Sequence, residues 1–301
     1  MHRLTLAALC LPLLSLGADP LMDRVNARIA RTPSVTVSFY AKNLGTGQTL
    51  SLREADPVRT ASTIKLPILL AVSDAIAAGK ASWTEPLTLT KGEMVSGSGI
   101  IGSEMSDGVQ LPVRDVANLM MVLSDNTATN MLIERFTAEA VNTWLDRAGI
   151  KTTRLMRKIR GDGANLKSPS GWSAAGKLPE NQKYGLGVST PRDMVTILER
   201  LDKGELVSPE VSRQVLAVMR RCQDDTGVRR KLNGYTISNK TGALDALRSD
   251  VALVTSKQGT RIALAITVEG IPQIDYTPEN PGSILIADLA QLIVEGLGAI
   301  K

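Results

Sequence analysis

Ser62 and Lys65 stand three residues apart in the string Ser62-Thr63-Ile64-Lys65, the spacing at which two side chains share one face of a helix. A serine hydroxyl and a lysine amine so related can act as nucleophile and general base. The competing reading is an ordinary helix start carrying a solvated lysine. The chain has a single histidine, His2, so a serine activated in its body must rely on a lysine or a carboxylate rather than an imidazole. Two further strings bear on the same chemistry: Ser124-Asp125-Asn126 and Lys240-Thr241-Gly242. Alone, the first reads as a helix cap, because a short polar string between two helical runs satisfies free backbone N–H groups.

In this order and at these separations, the three strings together resemble the serine β-lactamase and penicillin-binding protein superfamily, and its class A branch most closely. Thr127-Ala128-Thr129-Asn130 extends the likeness beyond the second string. The resemblance implies an α+β fold, with an antiparallel sheet built from both chain termini, flanking helices and an all-helical lobe. The α/β lobe is expected over about 19–62 and 205–301, the helical lobe over about 63–204. The resemblance also implies roles. Ser62 is the nucleophile, Lys65 its base, Ser124 a proton relay to the leaving nitrogen, and Asn126 a partner for a substrate amide carbonyl and for Lys65. Lys240 and Thr241 receive a substrate carboxylate. Gly242 leads to Ala243, whose N–H completes an oxyanion hole with that of Ser62. Arg248, two residues before Asp250, is either a second cation for the carboxylate or a surface strand arginine.

One part of the pattern is missing. In class A enzymes a glutamate and, four residues on, an asparagine hold the water that hydrolyses the acyl-enzyme, soon after a Thr-Arg-Leu string. Thr153-Arg154-Leu155 is present, but by that spacing the two positions fall on Ile159 and Gly163, neither of which polarises water. The following loop is long, returning to the pattern at Thr190-Pro191, and holds Asp162 and Glu180 as its carboxylates. Either reads as an exposed loop acid or as a substitute base, Glu180 being the candidate carried forward. The activity implied is hydrolysis of penicillins or cephalosporins through a Ser62 acyl-enzyme, without cofactor or metal. The alternatives are a D,D-peptidase or esterase of the same superfamily, and a protein that traps β-lactams covalently with little turnover.

These side chains need a scaffold. A chain of 301 residues with 43% hydrophobic content can bury one large domain or two unequal lobes. Only 3% of residues are aromatic, so the core is aliphatic and stacking platforms for nucleic acid are not expected. The net charge of +5 is spread along the chain, with short basic clusters at 157–160 and 228–231, and favours small anionic substrates over nucleic acid. Residues 1–18 read as a secretory signal: Arg3, an apolar run from Leu4 to Leu16, then Gly17 and Ala18. Export to the periplasm or beyond is expected, an uncleaved anchor or lipid attachment at Cys10 being the alternatives. Cleavage leaves Cys222 as the one cysteine, so no internal disulfide forms. No other stretch reads as a membrane span, and a monomer suffices.

Periodicity places the motifs. Apolar residues at helical spacing predict a helix over 19–31, and the segments 35–43 and 48–53 predict a hairpin around Leu44-Gly45-Thr46-Gly47. A helix from Thr63 to Ala78 is apolar on most faces and belongs at the centre of the fold. Residues 80–112 read as irregular. Helices follow over 112–123, 126–136, 138–148, 190–201 and 208–221, then strands over 235–240, 249–256 and 261–267, and a last helix over 283–297.

Overall fold

The protein is described by a computed structural model over residues 20–160 and 171–299. The expected secretory signal, with His2 and Cys10, and the loop residues Asp162 and Gly163 lie outside the described residues. The chain begins with helix α1 (Pro20–Ala30), strands β1 (Thr36–Asn43), β2 (Thr49–Leu52) and β3 (Val58–Arg59), and a 3₁₀ turn (Ala61–Ile64) that runs directly into α2 (Lys65–Ala77). Its middle holds β4 (Pro86–Thr88), α3 (Ile101–Glu104), β5 (Gln110–Pro112), α4 (Val113–Val122), α5 (Asn126–Phe136), α6 (Ala138–Arg147), β6 (Arg154–Leu155), α7 (Ala174–Lys177) and β7 (Gly187–Ser189). The last part is α8 (Pro191–Asp202), α9 (Pro209–Arg220), β8 (Thr236–Leu244), β9 (Leu247–Thr255), β10 (Arg261–Glu269) and α10 (Pro281–Ala299).

Five antiparallel strands from the two ends of the chain form one sheet, in the order β2-β1-β10-β9-β8. Alternation along each strand assigns its two faces. Val37, Phe39 and Ala41 of β1 lie opposite Val268, Ile266 and Leu264 of β10 and join Ala252 and Val254 of β9 in a core shared with α1 and α10. The intervening residues Tyr40, Ala265, Ala263, Val251 and Leu253 face the other way, into the core of the helical part. The fold class expected from the motifs is the one observed.

Helix α2 is buried continuously from Lys65 to Ser73 and packs among α4, α5, α6 and α9. A helix whose apolar residues run all round it finds its free-energy minimum there, since any exposed face leaves aliphatic surface in water. The site of Ser62 is thereby tied to a buried central helix. The cap expected at 124–126 is real: Asp125 accepts from Ala128 N at 2.8 Å and opens α5. Its other carboxylate oxygen accepts from Ile100 N at 2.7 Å and Ile101 N at 2.9 Å, so one carboxylate pins the loop before α3 to the start of α5. Thr190 caps α8 through Asp193 N, with Pro191 in the first turn.

Three expectations are corrected. Residues 80–112 are not wholly irregular, since β4 pairs with β5, Leu87 lying opposite Leu111. Two prolines facing each other at its open end, Pro86 and Pro112, disguise this ribbon in the sequence. Strand β8 runs on through Lys240 to Leu244 and turns tightly into β9, Leu244 lying opposite Leu247. Helix α10 is also long and apolar enough to cross a membrane, although the sequence reading found no such stretch beyond the leader. Here its buried face, from Gly282 to Leu297, packs on the sheet and α1. Cys222 is buried and unpaired.

Candidate functional site

The 3₁₀ turn that carries Ser62 is held between two backbones. On one side Thr60 N donates to Gly187 O at 3.0 Å, just where β7 begins. On the other, Gly242 of β8 lies so near that a side-chain carbon there would meet Thr60 O at 2.9 Å and Ser62 N at 3.2 Å. Glycine is required at 242 for this approach. Ala61 takes φ of 46° and Ser124 φ of 55°, a left-handed conformation that non-glycine residues adopt only when their surroundings enforce it. Both outliers flank the same cleft, which has a volume of about 1070 Å³ and is lined by Ser62, Ser124, Asn126, Thr241, Gly242 and Ala243 among others.

Lys65 lies beneath the cleft, fully buried. Its Nζ is 2.7 Å from Ser124 O, 3.0 Å from Asn126 Oδ1 and 3.2 Å from Ser124 Oγ. Burial, then the Lys240 cation, hold its amine well below the ordinary lysine value, against a smaller opposing pull from Asp125. A neutral amine has two hydrogens and one lone pair. Ser124 O only accepts, and Asn126 Oδ1 is oriented as an acceptor because its Nδ2 donates to Ser96 O at 3.2 Å. Nζ can donate to all three oxygens as an ammonium; when it is neutral two of the bonds use its hydrogens, and its lone pair is free to take a hydroxyl proton. The helical spacing predicted contact between Lys65 and Ser62. Among the described residues, the amine instead bonds Ser124 and Asn126, with Ser62 one turn away on the same cleft.

Lys240, also fully buried, donates to Thr241 O at 2.8 Å. Burial lowers its amine, while Cys222, Asp224 and Asp250 draw it back up. Two of these acids escaped the sequence reading. Asp224 is half-buried and lines the cleft. Burial alone would raise its carboxyl, but hydrogen bonds from Thr226 and Thr241 and the charge of Lys240 leave it lowered. The string Asp224-Asp225-Thr226-Gly227 was its available signal, since Thr226 N and Oγ1 both return to Asp224 Oδ1.

Asp250 accepts from Val228 N at 2.9 Å and from Asn239 Nδ2 at 3.1 and 3.2 Å, yet burial still pushes it up to about 7. A carboxyl that binds its proton more tightly folded than unfolded favours folding while protonated in both states, and loses that advantage as pH rises from the ordinary carboxylate value toward 7. Asp250→Asn should therefore remove a downward slope in unfolding free energy between about pH 4 and pH 7, of at most about 1.4 kcal/mol per pH unit. Urea titrations of both proteins across that range would show it, and parallel slopes would refute the assignment.

Arg248 is not a surface arginine. Its Nη1 donates to Leu244 O at 2.6 Å and Leu247 O at 2.7 Å, its Nη2 to Asp275 O, and its guanidinium stacks 4.9 Å from the Tyr276 ring. Arg248 lines the cleft, while these donors hold the β8–β9 turn. Glu180 is corrected: it lies exposed at the start of a 3₁₀ turn (Pro179–Tyr184) and is not among the residues that line the cleft, which this turn joins from Lys183 onward. Ile159 does line it. Its backbone is clamped by the buried side chain of Asn130, which accepts from Ile159 N at 2.8 Å and donates to Ile159 O at 3.0 Å.

Residues 20–297 match the model of the beta-lactamase enzyme family. The chain is 25% identical over 292 residues to the beta-lactamase regulatory protein BlaB of Streptomyces cacaoi, covering 87% of this chain and 93% of that one. It is 26% identical over 251 residues to a beta-lactamase of Rhodobacter capsulatus, covering 81% and 80%. A solved structure of a single-site mutant of PBP-A, an acyl-enzyme complex with penicillin G, superimposes with a TM-score of 0.79 at 27% identity, covering 93% and 97%.

Proposed function

Because the chain belongs to the beta-lactamase enzyme family, we propose that it opens the ring of β-lactams by acylating Ser62 and then hydrolyses the acyl-enzyme. The observation that carries the reading is the buried Lys65 amine, 3.2 Å from Ser124 Oγ and with its affinity for protons lowered by burial and by Lys240. Its lone pair takes the Ser62 hydroxyl proton as Oγ bonds the lactam carbonyl carbon. The negative oxygen so formed turns toward the N–H groups of Ser62 and Ala243. The ring C–N bond then breaks as Ser124 passes its hydroxyl proton to the nitrogen and recovers one from Lys65. Asn126 holds the substrate amide, while Lys240 and Thr241 hold its carboxylate.

Deacylation needs a water whose proton is removed as it attacks the ester carbon. Glu180 is remote and Ile159 is apolar, so Lys65, neutral again after acylation, is the base we assign. An amine serving both steps makes the second slower than a dedicated carboxylate would, so acyl-enzyme accumulates. Ile159 on the cleft wall also favours a second reading, a D,D-peptidase or covalent binder with little turnover. Exported by its N-terminal segment and acting as a monomer, the hydrolase would protect a cell from β-lactams.

Mass spectrometry of the protein with excess benzylpenicillin, followed over time beside ring-opened product, tests the proposal. An adduct on Ser62 that decays while product exceeds enzyme many times over is expected. A lasting one-to-one adduct overturns hydrolysis and leaves the binder, and no adduct overturns both.

A further inference from the structure

The two walls of the cleft carry charge differently. The sheet wall, β8 with its turn, holds cations that are already engaged: Lys240 beside Asp224 and Asp250, and Arg248 on three carbonyls. The facing wall, reached across the Ser62 turn, is the segment 156–160 joined to 184–187, where Met156 N donates to Leu186 O at 2.8 Å. From it Arg157, Arg160 and Lys183 all reach the cleft. Among the described residues none of the three meets a carboxylate, whereas the neighbouring Arg154 and Lys158 bind Asp146 and Glu134 and Arg59, on the same cleft, binds Glu269. Asp224 is the one Asp or Glu among the described residues of the cleft lining, and it belongs to the sheet wall.

The three cations are held rather than loose. The Trp172 ring lies 5.7 Å from the Arg157 guanidinium and 4.9 Å from that of Arg160, and Tyr184 lies 5.0 Å from the Lys183 amine. Arg157 Nη1 donates to Lys158 O at 2.8 Å. Burial and the neighbouring Arg160 charge bring the Arg157 guanidinium down to about 10, which leaves it cationic at neutral pH. Like charges with no carboxylate partner among the described residues repel one another, and a bound anion relieves that repulsion.

We propose that Arg157, Arg160 and Lys183 form a subsite for a second anionic group on the substrate, carried by the acylamino side chain on the far side of the reacting carbonyl from the carboxylate at Lys240 and Thr241. The inference rests on Ser62 acylation by β-lactams and names the substrate class: β-lactams whose side chain bears a carboxylate or an equivalent anion.

The experiment compares second-order rate constants of acylation, by mass spectrometry of quenched samples, for α-carboxybenzylpenicillin and benzylpenicillin. These differ by one side-chain carboxylate. In the unaltered protein at low salt the carboxylated compound should react faster, with a ratio of about five. The doubly reversed Arg160→Glu/Lys183→Glu variant should lower that ratio about tenfold. Both positions are exposed, and a melting curve checks the fold. Salt supplies a second measure free of any substitution: raised to about 1 M, where screening acts within about 3 Å, it should bring the ratio in the unaltered protein toward one. A ratio at or below one at low salt, a ratio indifferent to salt, or one indifferent to the charge reversal in a folded variant overturns the subsite and leaves Ser62 acylation standing. Absence of an adduct with either compound overturns the acylation reading and the subsite with it.

Discussion

Lys65→Met lowers the rate of Ser62 acylation by benzylpenicillin about 10³-fold, within the range a positioned general base contributes. Methionine keeps the length and apolar stem that α2 buries at this position, so the loss isolates the amine. Of the side chains that meet the Lys65 amine, the amide of Asn126 and the hydroxyl of Ser124 are not basic at neutral pH, so neither replaces it as base. The pH profile separates this role from mere packing. Lys65 acts in its neutral form, and burial together with Lys240 lowers its affinity for protons. Acylation by the unaltered protein therefore keeps its rate to lower pH than an ordinary lysine base would allow, and falls about tenfold per unit as pH drops below the lowered value of Lys65. The methionine variant loses that acidic limb. A stopped-flow series from pH 4 to pH 9 would read both, and a variant that retains more than about a tenth of the parent rate would remove Lys65 from the chemistry.

Ile159→Glu shortens the lifetime of the penicilloyl adduct, by about 10²-fold. The substitution places a carboxylate on the cleft wall at the position where the class A pattern has its water-activating acid. The backbone there does not depend on the side chain, because Asn130 clamps both the N–H and the carbonyl of residue 159. Arg157 and Arg160, two residues before and one after, keep the new carboxylate ionised at neutral pH and so able to accept a proton from water. Adduct decay after removal of free penicillin measures the effect. A lifetime unchanged or lengthened, in a variant that acylates normally, would show that residue 159 does not reach the water's approach and that the missing acid is not what limits turnover.

The readable parts of the chain were those whose chemistry is local in sequence. The cap at 124–126 could be placed from its polar residues, and the helices and the strands β1, β9 and β10 from their apolar patterns, because neighbours within a turn or a strand create these signals. Contacts closed by the fold left no such mark. The Asn130 clamp on Ile159 spans 29 residues and the bond from Arg248 to Asp275 O spans 27, so neither the pinned loop nor the occupied guanidinium is visible in a window of sequence. Asp250 was read only as a marker near Arg248, since nothing in its neighbours says that Asn239 and Val228 N will surround it. Glu180 illustrates the reverse error. Its residue type suited the missing role, but type says nothing of direction, and the turn from Pro179 leaves it in water.

The two buried amines have a consequence for the order of events. The Lys240 charge is one of the causes that lower the affinity of Lys65 for protons. A ligand carboxylate seated at Lys240 and Thr241 cancels much of that charge, and Lys65 becomes a stronger base when a molecule with a carboxylate in the right place arrives. Recognition at one end of the ligand thus switches on proton abstraction at the other, and a carbonyl compound without the carboxylate meets a serine whose partner is still a weak base.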